Sequence, residues 1–160
     1  MILYHGSKYL FSEIDLTKSK AGKDFGKGFY LTTNEKQAIK WATRTGSGYI
    51  YKYEFDEALL RDETYCVIAL TKYNKEWADF VYKCRMFFFE SNADIIYDRM
   101  ADSRSQILTK ALDKYGNAEI SLEHLLLIAK FSNKNYDQYC FKTPSACNAL
   151  RRLGVTAVRR

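Results

Sequence analysis

Two short stretches of this 160-residue chain bring together residue types capable of binding chemistry. Tyr4-His5-Gly6-Ser7 places an imidazole beside a glycine amide at the end of an opening apolar run. A glycine there leaves the backbone open to a ligand. Lys23-Asp24-Phe25-Gly26-Lys27-Gly28-Phe29-Tyr30-Leu31-Thr32 follows, its glycines bringing a strand with the Tyr30 ring close to the same ligand. An imidazole, an open amide and an aromatic face make a clamp for a flat heterocycle. Lys23 and Lys27 can neutralise a pyrophosphate, although the segment fits neither the P-loop nor the dinucleotide-fold glycine pattern. Alone, His5 or Tyr30 reads as structural; the two blocks together favour function. The other histidine, His124, lies within an apolar helical run and reads as structural.

These residues need elements to hold them. Ile2 to His5 reads as a strand leading into Gly6, and Gly28 to Thr33 as a second. Asn34 is suited to cap a helix whose Ala38, Trp41 and Ala42 share a face. Tyr49, Tyr51, Tyr53 and Phe55 alternate with Ile50, Lys52 and Glu54, which predicts a strand with one aromatic face toward a core. Strands are also predicted at Tyr65 to Leu70 and Ala93 to Tyr97. Asn74 opens a helix whose stripe is Trp77, Phe80, Val81, Cys84 and Phe88. A helix from about Ser103 to Tyr115, stopped by Gly116, buries Ile107, Leu108, Ala111 and Leu112, and another starts at Ser121. Gln138 to Thr143 is a strand candidate. Thr143-Pro144 then starts a helix closed by Gly154, before a last strand from Val155 to Val158. The expectation is one α+β domain over residues 1–160, its sheet uniting distant segments.

Composition narrows the classes. Hydrophobic residues make up 47% and aromatic residues 16%, which excludes disordered and collagen-like readings. The four cysteines, Cys66, Cys84, Cys140 and Cys147, form no C-x-x-C pair and no zinc spacing, so they read as reduced and mostly buried, with no metal. No secretory leader or membrane span is legible, and a bacterial-type cytoplasm is the default expectation. The net charge of +6 favours nucleic acid or an acidic partner, yet basic residues are spread along the chain. The Arg151-Arg152 and Arg159-Arg160 pairs read as solvated.

The two blocks resemble the ADP-ribosyltransferase superfamily, in the diphtheria-toxin and poly-ADP-ribose-polymerase branch marked by His, Tyr and Glu, Asp or Gln. The resemblance implies an α+β fold with a split, twisted β-sheet and packed helices. It places His5 on a ribose hydroxyl of NAD, the Gly6 backbone on the nicotinamide carboxamide, and Tyr30 under the nicotinamide ring. Ser7, Lys27 and Gly28 join that binding set. Trp41, eleven residues after Tyr30, falls where polymerase-like members place a second ring, and Ala38 stands where many have a carboxamide-binding serine. The third motif matches Tyr136-Asp137-Gln138-Tyr139-Cys140-Phe141-Lys142-Thr143, with Gln138 in the glutamate position. The chain is similar over most of its length to a bacterial branch with an HGS start, a KDFG-x-GFY-x-T block, the pair Ala101-Asp102 and a late Gln-x-x-Phe-Lys-Thr. Asp98-Arg99 stands where that branch has Gly-Pro.

What the resemblance implies is transfer of ADP-ribose from the substrate NAD to a protein or nucleic acid, with His5, Tyr30 and Gln138 as catalytic residues. Breaking the nicotinamide glycosidic bond creates an oxocarbenium-like ribose. Glutamine keeps a ribose hydrogen bond but lacks glutamate's charge, so Asp102 and Asp24 are the remaining candidate acids. Transfer of a single unit fits glutamine better than polymer formation. A bacterial toxin or conflict-system effector with a small neutralising antitoxin protein is the implied setting. The alternatives are NAD hydrolysis, an inactive binding module of the same fold, and a basic nucleic-acid-binding protein.

Overall fold

The computed structural model describes residues 1–101, 105–130 and 137–160. Its strands are β1 (Ile2–Ser7), β2 (Phe29–Leu31), β3 (Ser47–Glu54), β4 (Val67–Leu70), β5 (Ile95–Arg99), β6 (Asp137–Phe141) and β7 (Arg151–Arg159). Its helices are α1 (Glu35–Ala42), α2 (Lys75–Phe87), α3 (Ser105–Gly116), α4 (Leu122–Ala129) and α5 (Pro144–Asn148). The architecture is mixed α+β, with a three-stranded sheet in the order β1-β3-β7 and a four-stranded sheet in the order β2-β6-β5-β4. All pairings are antiparallel except β4 with β5, which α2 connects.

Among the described residues, strand alternation separates three cores. Leu3, Tyr51, Tyr53 and Phe55 from one sheet meet Phe29, Leu31, Ile95, Tyr139 and Phe141 from the other. Ile50 faces the opposite way, onto Ala38 and Ala42 of α1. The aromatic face of β3 is therefore core as expected, and its second face is covered as well. Ile96 and Cys140 face Trp77, Val81, Leu108, Leu112 and Leu125 of α2, α3 and α4. Caps are local: Asn34, Asn74, Ser121 and Thr143 each accept the backbone N–H three residues on.

Several expectations give way to tertiary packing. Phe88 is not part of the α2 stripe: it caps the helix in the left-handed region (φ 54°) and is 64% exposed. Ile107 is exposed on α3, and His124 is exposed rather than within a core. Gly116 is the last residue of α3 and supplies no left-handed turn; a Cβ there would lie 2.0 Å from the Tyr82 hydroxyl, so packing against α2 requires glycine. Gly154 closes no helix: α5 ends at Asn148, and Gly154 lies within β7 opposite Lys52, where the register shifts. Cys84, Cys140 and Cys147 are buried, Cys66 is exposed, and all four are free. Among the described residues no helix is long and apolar enough to cross a membrane, and no metal-holding cluster occurs.

Candidate functional site

The site arises where the two sheets part. Tyr4 and Thr32 exchange backbone hydrogen bonds at 2.8 and 3.0 Å, among the described residues the one bridge between β1 and the segment that leaves β2. Strand parity then aims the N–H and C=O of Gly6 at the same side, toward Tyr30, while His5 and its odd-numbered neighbours bond β3. The ladder does not continue. The His5 imidazole enters the gap and its Nδ1 donates to the Tyr30 carbonyl at 2.7 Å. Gly6 is left without a hydrogen-bond partner for either backbone group among the described residues. A carbonyl only accepts, so Nδ1 carries the proton and Nε2 remains an acceptor. Phe29 stacks on the imidazole at 4.2 Å. Removal from water, opposed by the Tyr30 carbonyl and assisted by the Lys23 charge, lowers the His5 pKa to about 4.

Tyr30 is fixed at its far end by the loop before β2. Its hydroxyl accepts from the Phe25 N–H at 3.0 Å and donates to the Gly26 carbonyl at 2.7 Å. Gly26 turns the loop at φ 77°, a conformation that costs glycine nothing. The Lys23 ammonium lies 4.8 Å from the Tyr30 ring centroid. Burial pushes the phenol well above its ordinary range, so it stays protonated.

The late motif is a set of ties to the segments on both sides of β2. Asp137 accepts from the Thr32 and Thr33 side chains. Gln138, 4% exposed, donates Nε2–H to Asp24 Oδ2 at 2.9 Å. Lys142 donates to the carbonyls of Phe25 and Lys27 and to Glu90. Asp24, 6% exposed, also accepts from Arg85 Nε at 2.6 Å. A loop with little secondary structure is thereby held by β6 and α2.

These residues enclose a cavity of about 420 Å³ lined by His5, Gly6, Gly22, Lys23, Asp24, Tyr30, Trp41, Arg44, Arg85, Met100, Ala101, Thr109 and Gln138. Of the residues singled out in the sequence, His5, Gly6, Lys23, Asp24, Tyr30, Trp41 and Gln138 meet here. Ser7, Lys27 and Gly28 do not. The Ser7 hydroxyl bonds Tyr9, and Ser7 and Gly28 line a second cavity of about 450 Å³ that shares His5 and Lys23 with the first. Lys27 is exposed, and its N–H donates to the Glu90 carboxylate. A Cβ on Gly28 would lie 2.3 Å from Cys140 Sγ, so packing on β6 requires that glycine.

Gly6 has a structural demand of its own. A Cβ there would lie 2.0 Å from the Ala38 carbonyl oxygen and 2.9 Å from the Ala42 nitrogen, so α1 rests directly on β1. Ala38 is fully buried in that contact. Asp98 adopts φ 100°, a conformation suited to glycine. Asp102 and Tyr136 lie outside the described residues. Arg152 is not simply solvated: it sits over the Tyr51 ring at 5.0 Å and donates to the Ser12 carbonyl at 2.9 Å.

Arg85, Arg44, Met100 and Thr109 were not foreseen as cavity residues. Arg85 had a faint signal, a cation beside the apolar stripe of α2, but its partner is 61 residues away. Three cations, Lys23, Arg44 and Arg85, face the cavity against the single carboxylate of Asp24, which suits an anionic ligand.

A family model described as a protein of unknown function (DUF3990) matches residues 1–152. The chain belongs to the DUF3990 family. The DUF3990 match contains both N-terminal blocks, the Asp24–Gln138 contact and α5, and ends just inside β7. Nothing among curated proteins or solved structures matches the chain.

Proposed function

We propose that this protein binds NAD at the split between β1 and β2 and transfers its ADP-ribose to a macromolecular acceptor, in an ADP-ribosyltransferase-like fold. The observation that carries this reading is the unpaired N–H and C=O of Gly6 beside Tyr30 and Trp41. A primary carboxamide needs one acceptor and one donor side by side, and the two rings suit the flat heterocycle attached to it. The acceptor Nε2 of His5 serves a ribose hydroxyl. The cavity that shares His5 and Lys23 extends the site for the rest of a dinucleotide, with Lys23 at the junction for the pyrophosphate.

In the reaction the bond between ribose C1′ and the nicotinamide nitrogen breaks and its electron pair stays on nicotinamide, which leaves neutral. A nucleophile on the acceptor bonds C1′ and loses its proton. Gln138 holds a ribose hydroxyl as positive charge develops; removing one such preorganised contact commonly costs about 10²–10³ in rate. With water as acceptor the same steps give NAD hydrolysis. The neutral side chain of Gln138 favours a second reading, a module that binds NAD without cleaving it.

The test is nicotinamide release from NAD by the purified protein, with and without cell lysate, alongside Tyr30→Ala. Release that requires lysate and is lost in Tyr30→Ala supports transfer. Release without lysate indicates hydrolysis. NAD binding without release supports the binding module, and no binding refutes the site.

A further inference from the structure

We infer that Asp24 is the positioning residue that lets glutamine serve in the third motif: it captures the Gln138 amide nitrogen and thereby turns the carbonyl oxygen Oε1 toward the cavity. The ribose contact of Gln138 rests on the function proposed above; the amide orientation does not.

The chemistry of the three partners fixes the direction. A carboxylate only accepts and a guanidinium only donates. Arg85 Nε and Nη2 reach Asp24 Oδ1 at 2.6 and 2.5 Å, so that oxygen is taken. Oδ2 accepts from Gln138 Nε2 at 2.9 Å, and no partner for Oε1 exists among the described residues. The atom offered to the cavity is therefore an acceptor, as an oxygen of glutamate would be. The negative charge sits one residue further back, on Asp24, paired with Arg85. Asp24 and Gln138 are both almost fully buried, which strengthens their contact.

The consequence runs against intuition. Restoring glutamate at 138 sets two carboxylates about 3 Å apart, and one of them must take up a proton. The other charged or titratable groups around the pair are Arg85 and Cys84 on α2, Lys23 in the same loop, Tyr30 on β2, Arg44 after α1 and His5 on β1, which is held neutral. In Asp24→Asn alone, Arg85 still claims the oxygen, so the asparagine NH₂ faces position 138, the Gln138 amide flips, and a donor replaces the acceptor in the cavity. Exchanging both residues repairs the pair: asparagine donates to one oxygen of the carboxylate introduced at position 138, and the other oxygen faces the cavity.

The experiment compares the wild type, Asp24→Asn, Gln138→Glu and the double variant, each checked by thermal melting. It measures NAD binding, nicotinamide release and carboxyl titration by ¹³C NMR. Both single variants should lose turnover by about 10²-fold with a smaller change in NAD affinity, and the double variant should recover to within about tenfold of wild type. A carboxyl titrating at least about one pH unit above the ordinary carboxylate range should appear in Gln138→Glu and vanish in the double variant. Wild-type turnover in Asp24→Asn, or a double variant no better than the singles, overturns the inference. If the wild type releases no nicotinamide, the transferase reading falls, and the titration pair decides by itself whether Asp24 is coupled to position 138.

Discussion

Replacing Gly6 with alanine separates packing from ligand binding. The added Cβ would lie 2.0 Å from the Ala38 oxygen, where ordinary contact begins at 3.4 Å, so α1 must retreat by about 1.4 Å. Both obstacles, the Ala38 carbonyl and the Ala42 nitrogen, are backbone, so no side-chain rotation relieves them. Overpacking commonly costs about 1–3 kcal/mol, and a backbone clash belongs at the upper end. For a chain of this size that is a fall in Tm of about 6–12 °C by thermal melting. Gly154→Ala is the control: nothing lies within 4 Å of its Cβ and its φ is not positive. Its Tm should stay within about 2 °C of wild type. Because α1 carries Trp41, Gly6→Ala should also weaken NAD binding even when the protein is held well below its Tm. A Gly6→Ala protein that melts with the wild type refutes the close packing of α1 on β1 and returns Gly6 to a role in ligand approach alone.

Two further perturbations test the site's electrostatics and backbone. His5 is held neutral, its pKa lowered to about 4 from 6.5. The unfolded chain therefore binds a proton that the folded chain refuses, and stability present above pH 6.5 is lost as pH falls toward 4, by about 3 kcal/mol. Thermal melts of His5→Phe should lose that part of the acid slope; an unchanged slope would contradict the assignment. Asp98→Gly should stabilise the protein, because a non-glycine residue at φ 100° stores about 1–3 kcal/mol and glycine's extra unfolded-state entropy offsets only part of it. A Tm rise of about 2–4 °C is expected, and a fall would show that the Asp98 side chain stabilises more than its backbone strains.

The local elements were legible because their causes are local. Alternation from Tyr49 to Phe55 specified β3, and Asn34, Asn74, Ser121 and Thr143 announced their helices by bonding within three residues. Phe88 and Ile107 misled because apolar spacing shows which residues share a helix face, not whether another element covers it. Gly154 looked like a helix stop because a glycine signals a break without saying which kind.

The sequence by itself determined the α+β class and brought forward His5, Gly6 and Tyr30, residue types whose chemistry travels with them, while Trp41 and Gln138 came forward only through the family resemblance. Only the tertiary structure decided that β1 and β2 part after one bridge, leaving the Gly6 backbone unpaired, and that Asp24 joins Arg85 and Gln138 across 61 and 114 residues. Hydrogen-bond direction and burial belong to pairs of groups, and those pairs form only when distant segments pack.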